Sequence, residues 1–539
     1  MKRHIILLLV FALGVTRIAA QSEAEFIKLQ KEFTINSSGQ TEARYIKELK
    51  LLTHRAMNNM YGETFIVYDP RYQELKIHEA YTRQADGTIM KAPANAFNEV
   101  LPAAAANAPA YNHLKEMVVT HTGLELGATI YLDYSVITQS GYHPYLDIAE
   151  PLQELSPIKS CTVTVKVPAE TPVHYTLSGL ADNKKLTQAE GVDVYFWEFR
   201  NIPANSREPY QPICSGYAPY FTLNTYESQE KAFSFINYSQ DAPDRILKKL
   251  THIDKTSQSA YINAAHDYIT KDMDYSRLSI QECGRSIRPL QNVVNSGYGT
   301  SLEKAVLMKA VLDYAKISSE LAVLYARNLG DDVLGLSPVK ELGIVTMYED
   351  EKVFIPLSGS KLTALSKLGN RYDVFSVATN KKIEIPRADN AIVTTQKGEI
   401  MITADSVKSV AAIRWDENGY AKFTPKEQNA GINDFNLIKL ASQRISYLEL
   451  PYKTDDTVEH NIVLSPGIEC KTLPQEVSIT NKAGQLQVSV TKETGRVIIR
   501  KQLKLNKNLY APAEYADLKK LIRQWYNPNV NTLILYKEK

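Results

Sequence analysis

The sequence predicts a multidomain chain of mixed α and β structure: an N-terminal β-sandwich, a central α+β core and a C-terminal β domain. Three observations carry this. At 539 residues the chain exceeds what one hydrophobic core organises. Apolar residues alternate with period two towards both ends, as they do in half-buried strands. Between those regions the period lengthens to that of helices, and short apolar strands follow.

Taken in order, the first element is a leader. MKRHIILLLVFALGVTRIAAQ has a basic start, an apolar run from Ile5 to Val15 and small residues at Ala19 and Ala20, the grammar of a secretory signal peptide. Cleavage is expected between Ala20 and Gln21, with export to the periplasm or the outer membrane. No later run reaches the ~18 to 20 apolar residues of a membrane span, so no transmembrane segment is expected after cleavage.

Residues 21–225 read as the sandwich. In TIYLDYSVIT, Ile130, Leu132, Tyr134 and Val136 share a face; in CTVTVKVP, Val163, Val165 and Val167 do. QADGT at 84–88 is a turn signal, and LPAAAANAPA is too rich in breakers for a helix, so Leu101 to Asn112 reads as a mobile surface loop. The core, 226–385, opens with SQSAYINAAHDYITKDMDY, which sets Ile262, Ala265, Tyr268 and Ile269 at helical spacing. NVVNSGYG reads as a turn-rich loop leading into an amphipathic helix bearing Leu302, Ala305, Val306, Val311 and Leu312. LAVLYARN, LGIVTMY and KVFIPL then read as strands. From 386 to 539 alternation resumes in QLQVSV and RVIIRKQLKL, before a short helix in APAEYADLKKLIRQWY and a last strand, NTLILYKEK. No solenoid repeat is present.

Charge excludes one class of partner. Removing Lys2, Arg3 and Arg17 with the leader lowers 62 basic side chains to 59, against 60 acidic ones. Nucleic-acid binding calls for a basic excess or stripe, and there is none. Cys161, Cys214, Cys283 and Cys470 lie far apart, with no CxxC pair. Buried free thiols are the simpler state, and a Cys161–Cys214 bridge is the alternative. His54, His78, His113, His121, His143 and His174 lack metal-ligand spacing, so neither zinc nor a cofactor is expected.

KEFTINSSGQTEARYIKELKLL, EAYTRQADGTIMKAPANAF, RSIRPLQNVVNSGYGTSLEKAVLMKAVLDYAKISSELAVLYARN, KKIEIPRADNAIV and EYADLKKLIRQWY follow one another in an order that resembles a family of exported bacterial proteins. In that family a β-sandwich of unknown function precedes a transglutaminase-like core and a C-terminal β domain. The resemblance implies a papain-like arrangement of Cys at a helix start, His on a following strand and Asp on the next. Such a thiolate is activated by the helix N-terminus and an imidazolium, with a carboxylate orienting the ring.

The catalytic positions depart from that pattern. Gly-Asp-Cys falls on Gly299, Thr300 and Ser301; His falls near Glu341, Leu342 and Gly343; Asp falls near Ile355 or Pro356. After Ser301 the only histidine is His460, in another domain. Thr300 to Glu303 also fits a capping box, which gives Ser301 a structural setting without chemistry. The expected function is therefore a non-catalytic binding or structural protein of the cell envelope, with a protein, peptide or glycan partner. The alternative is a residual protease, peptide amidase or acyltransferase using Ser301, or using Cys283 with His266 or His252 from preceding helices. A third reading is glycan binding by exposed tyrosines, with Tyr217 and Tyr220 foremost; in the bland reading Tyr210, Tyr217, Tyr220 and Tyr226 pack the junction of the first two domains.

Overall fold

Period-two alternation becomes a long twisted sheet because it places one apolar row per strand on one side. In the computed structural model, which describes residues 22–213, 216–330, 333–359, 361–385, 391–403, 413–437, 440 and 443–538, that sheet has eight strands. The leader, Cys214 and PRADN at 386–390 lie outside the described residues. Across the sheet the order is Lys185–Ala189, Val192–Ile202, Ile158–Pro168, Ala24–Ile35, Thr41–Leu51, Thr129–Thr138, Gln73–Arg83 and Ile89–Lys91. Ala24–Ile35 lies parallel to Ile158–Pro168 and antiparallel to Thr41–Leu51. Phe26, Leu29, Phe33, Val163, Val165 and Trp197 form one buried cluster with Phe221 and Leu223 of a three-stranded sheet, and Ile66, Val119 and Leu132 form a smaller one beside it.

The segment from Leu101 to Asn112 corrects the expectation of a mobile surface loop. It forms two short 3-10 turns, Ala103–Ala105 and Pro109–Tyr111, whose Ala105, Ala108 and Tyr111 pack against Leu278, Cys283 and Tyr298 of the core. Its alanines are small enough to let the backbone approach, and the amide of Ala110 donates to the Tyr298 hydroxyl at 2.8 Å.

In the core, helices Gln258–Lys271, Leu290–Ser296 and Ser301–Tyr314 pack on a six-stranded antiparallel sheet. Its order is Thr363–Ala364, Glu351–Pro356, Glu341–Tyr348, Ser319–Ala326, Tyr372–Ser376 and Lys381–Lys382. Two readings of this region need correction. NVVNSG is largely helical and ends at Gly297, whose φ of 73° a Cβ would disfavour. The Ser301 helix is not amphipathic: Leu302 to Met308 are all buried, Glu303 and Lys304 included, because the helix runs through the middle of the core. The Lys304 ammonium donates to the carbonyls of Ile269 and Met273, each at 2.8 Å, and closes the end of the Gln258–Lys271 helix.

The C-terminal region holds a five-stranded sheet in the order Ile392–Ile402, Thr454–Leu464, Arg496–Leu505, Gly484–Glu493 and Val477–Asn481. Beside it Leu533–Lys537 runs between Tyr420–Phe423 and Ile468–Thr472. Leu518, Leu521, Ile522 and Trp525 of the helix Tyr515–Trp525 fall on its buried stripe. Contacts cross all the regions. Asp147 accepts from the amides of Leu336 and Ser337 at 3.0 and 2.9 Å, and Glu208 accepts from the amides of Ile445 and Ser446.

Candidate functional site

The candidate site begins at Thr300. Its hydroxyl accepts from the Glu303 amide at 3.3 Å, and Glu303 accepts in return from the Thr300 amide at 3.0 Å, a complete capping box. Glu303 does more than cap. Fully buried, its carboxylate takes Arg288 Nε at 2.7 Å and Nη2 at 2.9 Å, together with the Tyr111 hydroxyl at 3.1 Å. Burial alone would raise the carboxyl pKa, but the bonds from Arg288 and Thr300 outweigh it and hold the group below the usual range. The cap fixes the first turn and leaves Ser301 beside a cleft of about 440 Å³.

The strands bring Glu341 and Leu342, from the stretch expected to hold a His, to that cleft, but neither Ile355 nor Pro356, where an Asp is expected. Gly343 pairs with Pro356 across Glu341–Tyr348 and Glu351–Pro356. Ser301, Glu341 and Leu342 line the cleft together with Leu357 and Ser358, next to the Asp position. Gly343, Ile355 and Pro356 do not line it; Ile355 is buried in the core, and Phe354 leaves no room for a Cβ at Gly343. The Glu341 carboxyl accepts from Ser358 Oγ at 2.9 Å, and burial raises its pKa. Tyr275 lines the cleft beside Ser301; burial raises its phenol, and the charge of Glu341 adds to the rise. The cleft thus holds a hydroxyl at a helix start, a phenol and a carboxyl, and no histidine or cysteine among its described lining residues.

The alternative nucleophile is placed differently. Cys283 is buried among Ala105, Ala108, Tyr111 and Leu114, and burial pushes its thiol up to about 12. That is the opposite of what thiolate chemistry needs. His266 is buried in its helix, and its Nε2 donates to the Pro356 carbonyl at 3.1 Å. No hydrogen bond joins Cys283 to His266 among the described residues. His252 corrects its expected place: it is exposed in the turn after Asp244–Leu250 rather than on a helix. Cys161, Cys283 and Cys470 are buried free thiols, so Cys161 forms no bridge.

The tyrosines divide between two junctions. Tyr226 is fully buried, Tyr220 packs on the core, and Tyr210 reaches the Phe435 carbonyl in the C-terminal region. Tyr217, 42% exposed, meets Tyr447 edge to face. Sequence reasoning missed Arg288, Asp147 and Arg285, since nothing marks a lone charged residue as a buried partner until its neighbours are known.

Two domain families match the chain: DUF3857, a domain of unknown function with solved structure, over residues 37–206, and DUF3858, described likewise, over 420–535. A solved protein from Parabacteroides distasonis ATCC 8503, described as a "putative protease", is 36% identical. The match covers 95% of this chain and 99% of that one, with a TM-score of 0.81. The chain belongs to the family of that protein. An M1 zinc metallopeptidase from Deinococcus radiodurans matches 38% of this chain and 43% of its own at 13% identity and a TM-score of 0.21, which carries no argument. No curated protein matches. In this DUF3857–DUF3858 protein the cleft at Ser301 lies between the two matched domains, on neither of them.

Proposed function

We propose that the chain is a non-catalytic binding protein of the cell envelope, built on a transglutaminase-like core that has lost its Cys/His/Asp triad. One observation carries the reading: the cleft at the helix start holds Ser301 and Glu341 where that chemistry needs a thiol and an imidazole, and neither Ile355 nor Pro356 brings a carboxylate to it. A serine hydroxyl depends on a general base far more than a thiol does. Glu341 is a poor substitute, since burial favours its protonated form and it already accepts from Ser358. The partner is a protein, peptide or glycan, reached after export and removal of residues 1–20.

The residual-hydrolase reading keeps support from one feature, the exposure of Ser301 to a cleft at a helix N-terminus, and from the description given to the Parabacteroides relative. A fluorophosphonate probe separates the two. The purified chain is expected to label at Ser301 no more than Ser301→Ala does, and to release no product from casein or glutamine peptides. Labelling that depends on Ser301 would establish a serine hydrolase. Ser301→Cys is expected to give no acyl transfer above the parent, because returning one member of a unit of three recovers little without the imidazole that protonates the leaving amine. Retained melting temperature would show that the capped helix survives the change.

A further inference from the structure

A second cavity, of about 400 Å³, lies between the N-terminal sheets and the core. Its volume falls in the range of ligand pockets, about 300 to 1,000 Å³. Residues of both regions line it: Tyr45, Tyr142 and Glu42 from the strands and their loops, Arg285 and Gln281 from the core. Gln281 and Ser337 also line the Ser301 cleft, and the bond from Gln281 Nε2 to Ser337 Oγ, 3.0 Å, forms part of the wall between the two spaces.

The wall of this cavity is built and under-satisfied. Tyr142 stacks on Tyr72 with ring centres 4.1 Å apart, and a Cβ on Gly284, at φ +72°, would stand 2.4 Å from the Tyr142 hydroxyl. The loop of the core therefore closes against this ring only through glycine. Next in sequence, Arg285 also has a left-handed backbone, φ 53°, and its side chain is 11% exposed. Its nearest carboxylate, Asp147, stands 3.6 Å away and is already engaged by Tyr226 and two amides. Arg285 Nε has no hydrogen-bond partner among the described residues, and neither has Nδ1 of His143, which lines the same cavity and is 6% exposed. Strain together with unmet polar groups is characteristic of sites shaped for a ligand.

Charge narrows the ligand. Glu42, Asp69, Asp147, Glu150 and Glu282 line the cavity against one cation, Arg285; Lys31 and Arg71 pair with Glu150 and Asp69. The surplus is acidic, so an anion is disfavoured. A bare cation is disfavoured as well, because it brings no acceptor to Arg285. What fits is an uncharged ligand whose hydroxyls both donate to carboxylates and accept from a guanidinium, and whose apolar faces lie on tyrosine rings. We propose that this cavity binds a neutral oligosaccharide, held by Tyr142, Glu42 and Arg285. The site is distinct from Tyr217 and Tyr220, and it is independent of whether Ser301 has chemistry.

Saturation-transfer NMR on the full mature chain tests this with maltotriose, cellotriose, mannotriose and chitotriose, against trigalacturonate and trialanine. At least one neutral trisaccharide is expected to bind, and trigalacturonate is not. Tyr142→Ala is expected to weaken binding about tenfold or more, the loss of one stacked ring, while Tyr142→Phe retains it. Glu42→Gln serves as a second weakening variant should Tyr142→Ala melt early. The proposal is overturned if no neutral trisaccharide binds at millimolar concentration, if a folded Tyr142→Ala or Glu42→Gln variant binds like the parent, or if trialanine alone binds, which would make this a peptide pocket. Labelling of Ser301 by a fluorophosphonate would overturn the reading of the other cleft and leave this result unchanged.

Discussion

Glu303 shows how much one buried carboxylate can organise. It ties the Ser301 helix to Arg288 and, through Tyr111, to the N-terminal region. Glu303→Ala would leave Arg288 largely buried without its partner, at a cost of about 3 to 5 kcal/mol in urea unfolding. Because folding lowers this pKa, its contribution is present above the ordinary carboxylate range and is lost as pH falls through the folded value. Asp456 has the opposite sign. Burial raises it to about 6, so folding takes up a proton and the residue's cost appears as pH rises from about 4 to 6. Asp456→Asn is expected to raise stability at pH 8 by about 1 to 3 kcal/mol, a gain that shrinks towards pH 5 in parallel melts. The capping box was legible because T-x-x-E is local. Arg288 was not, since its reason for being there is fifteen residues away in sequence and fixed only by the fold.

At the scale of elements, alternation was a sufficient guide wherever a strand has one buried face: Val163, Val165 and Val167, or Leu486 and Val488, are buried as their spacing requires. It could not reveal that Ala24–Ile35 lies parallel to Ile158–Pro168, since pairing direction leaves no mark on a single strand. Nor could helical spacing reveal a helix whose first two turns, Leu302 to Met308, are buried on every side. Lys304 reads as solvated until Ile269 and Met273 are seen to offer it carbonyls. The helix also sets a measurable scale: Thr300→Ala is expected to cost about 1 kcal/mol by removing the side-chain half of the cap, read as a lower urea midpoint with an unchanged slope.

Across the whole molecule, the Ser301 cleft is lined by the core alone, while the second cavity is assembled from regions that sequence treats separately. That Ser301, Glu341 and Pro356 depart from a Cys/His/Asp pattern could be read from the sequence once a resemblance supplied the positions, but the second cavity had no signature, because its walls meet only when two regions dock. Asp147 is the pin of that docking, receiving two backbone amides of the core and the Tyr226 hydroxyl. Asp147→Ala is expected to leave both regions folded and to loosen their junction, seen as a second thermal transition and faster proteolysis near residues 225–230. An unchanged single transition would assign the junction to other contacts.

The strand Leu533–Lys537 follows both of its partners in sequence, yet it is the middle of their sheet. Among the described residues, Tyr420–Phe423 and Ile468–Thr472 do not pair with each other; each pairs with it alone. The order of synthesis therefore runs against the order of assembly. Until Leu533–Lys537 is free to enter, two earlier strands present open edges, and a chain cut at Asn531 would keep them open for good, exposing templates for aggregation.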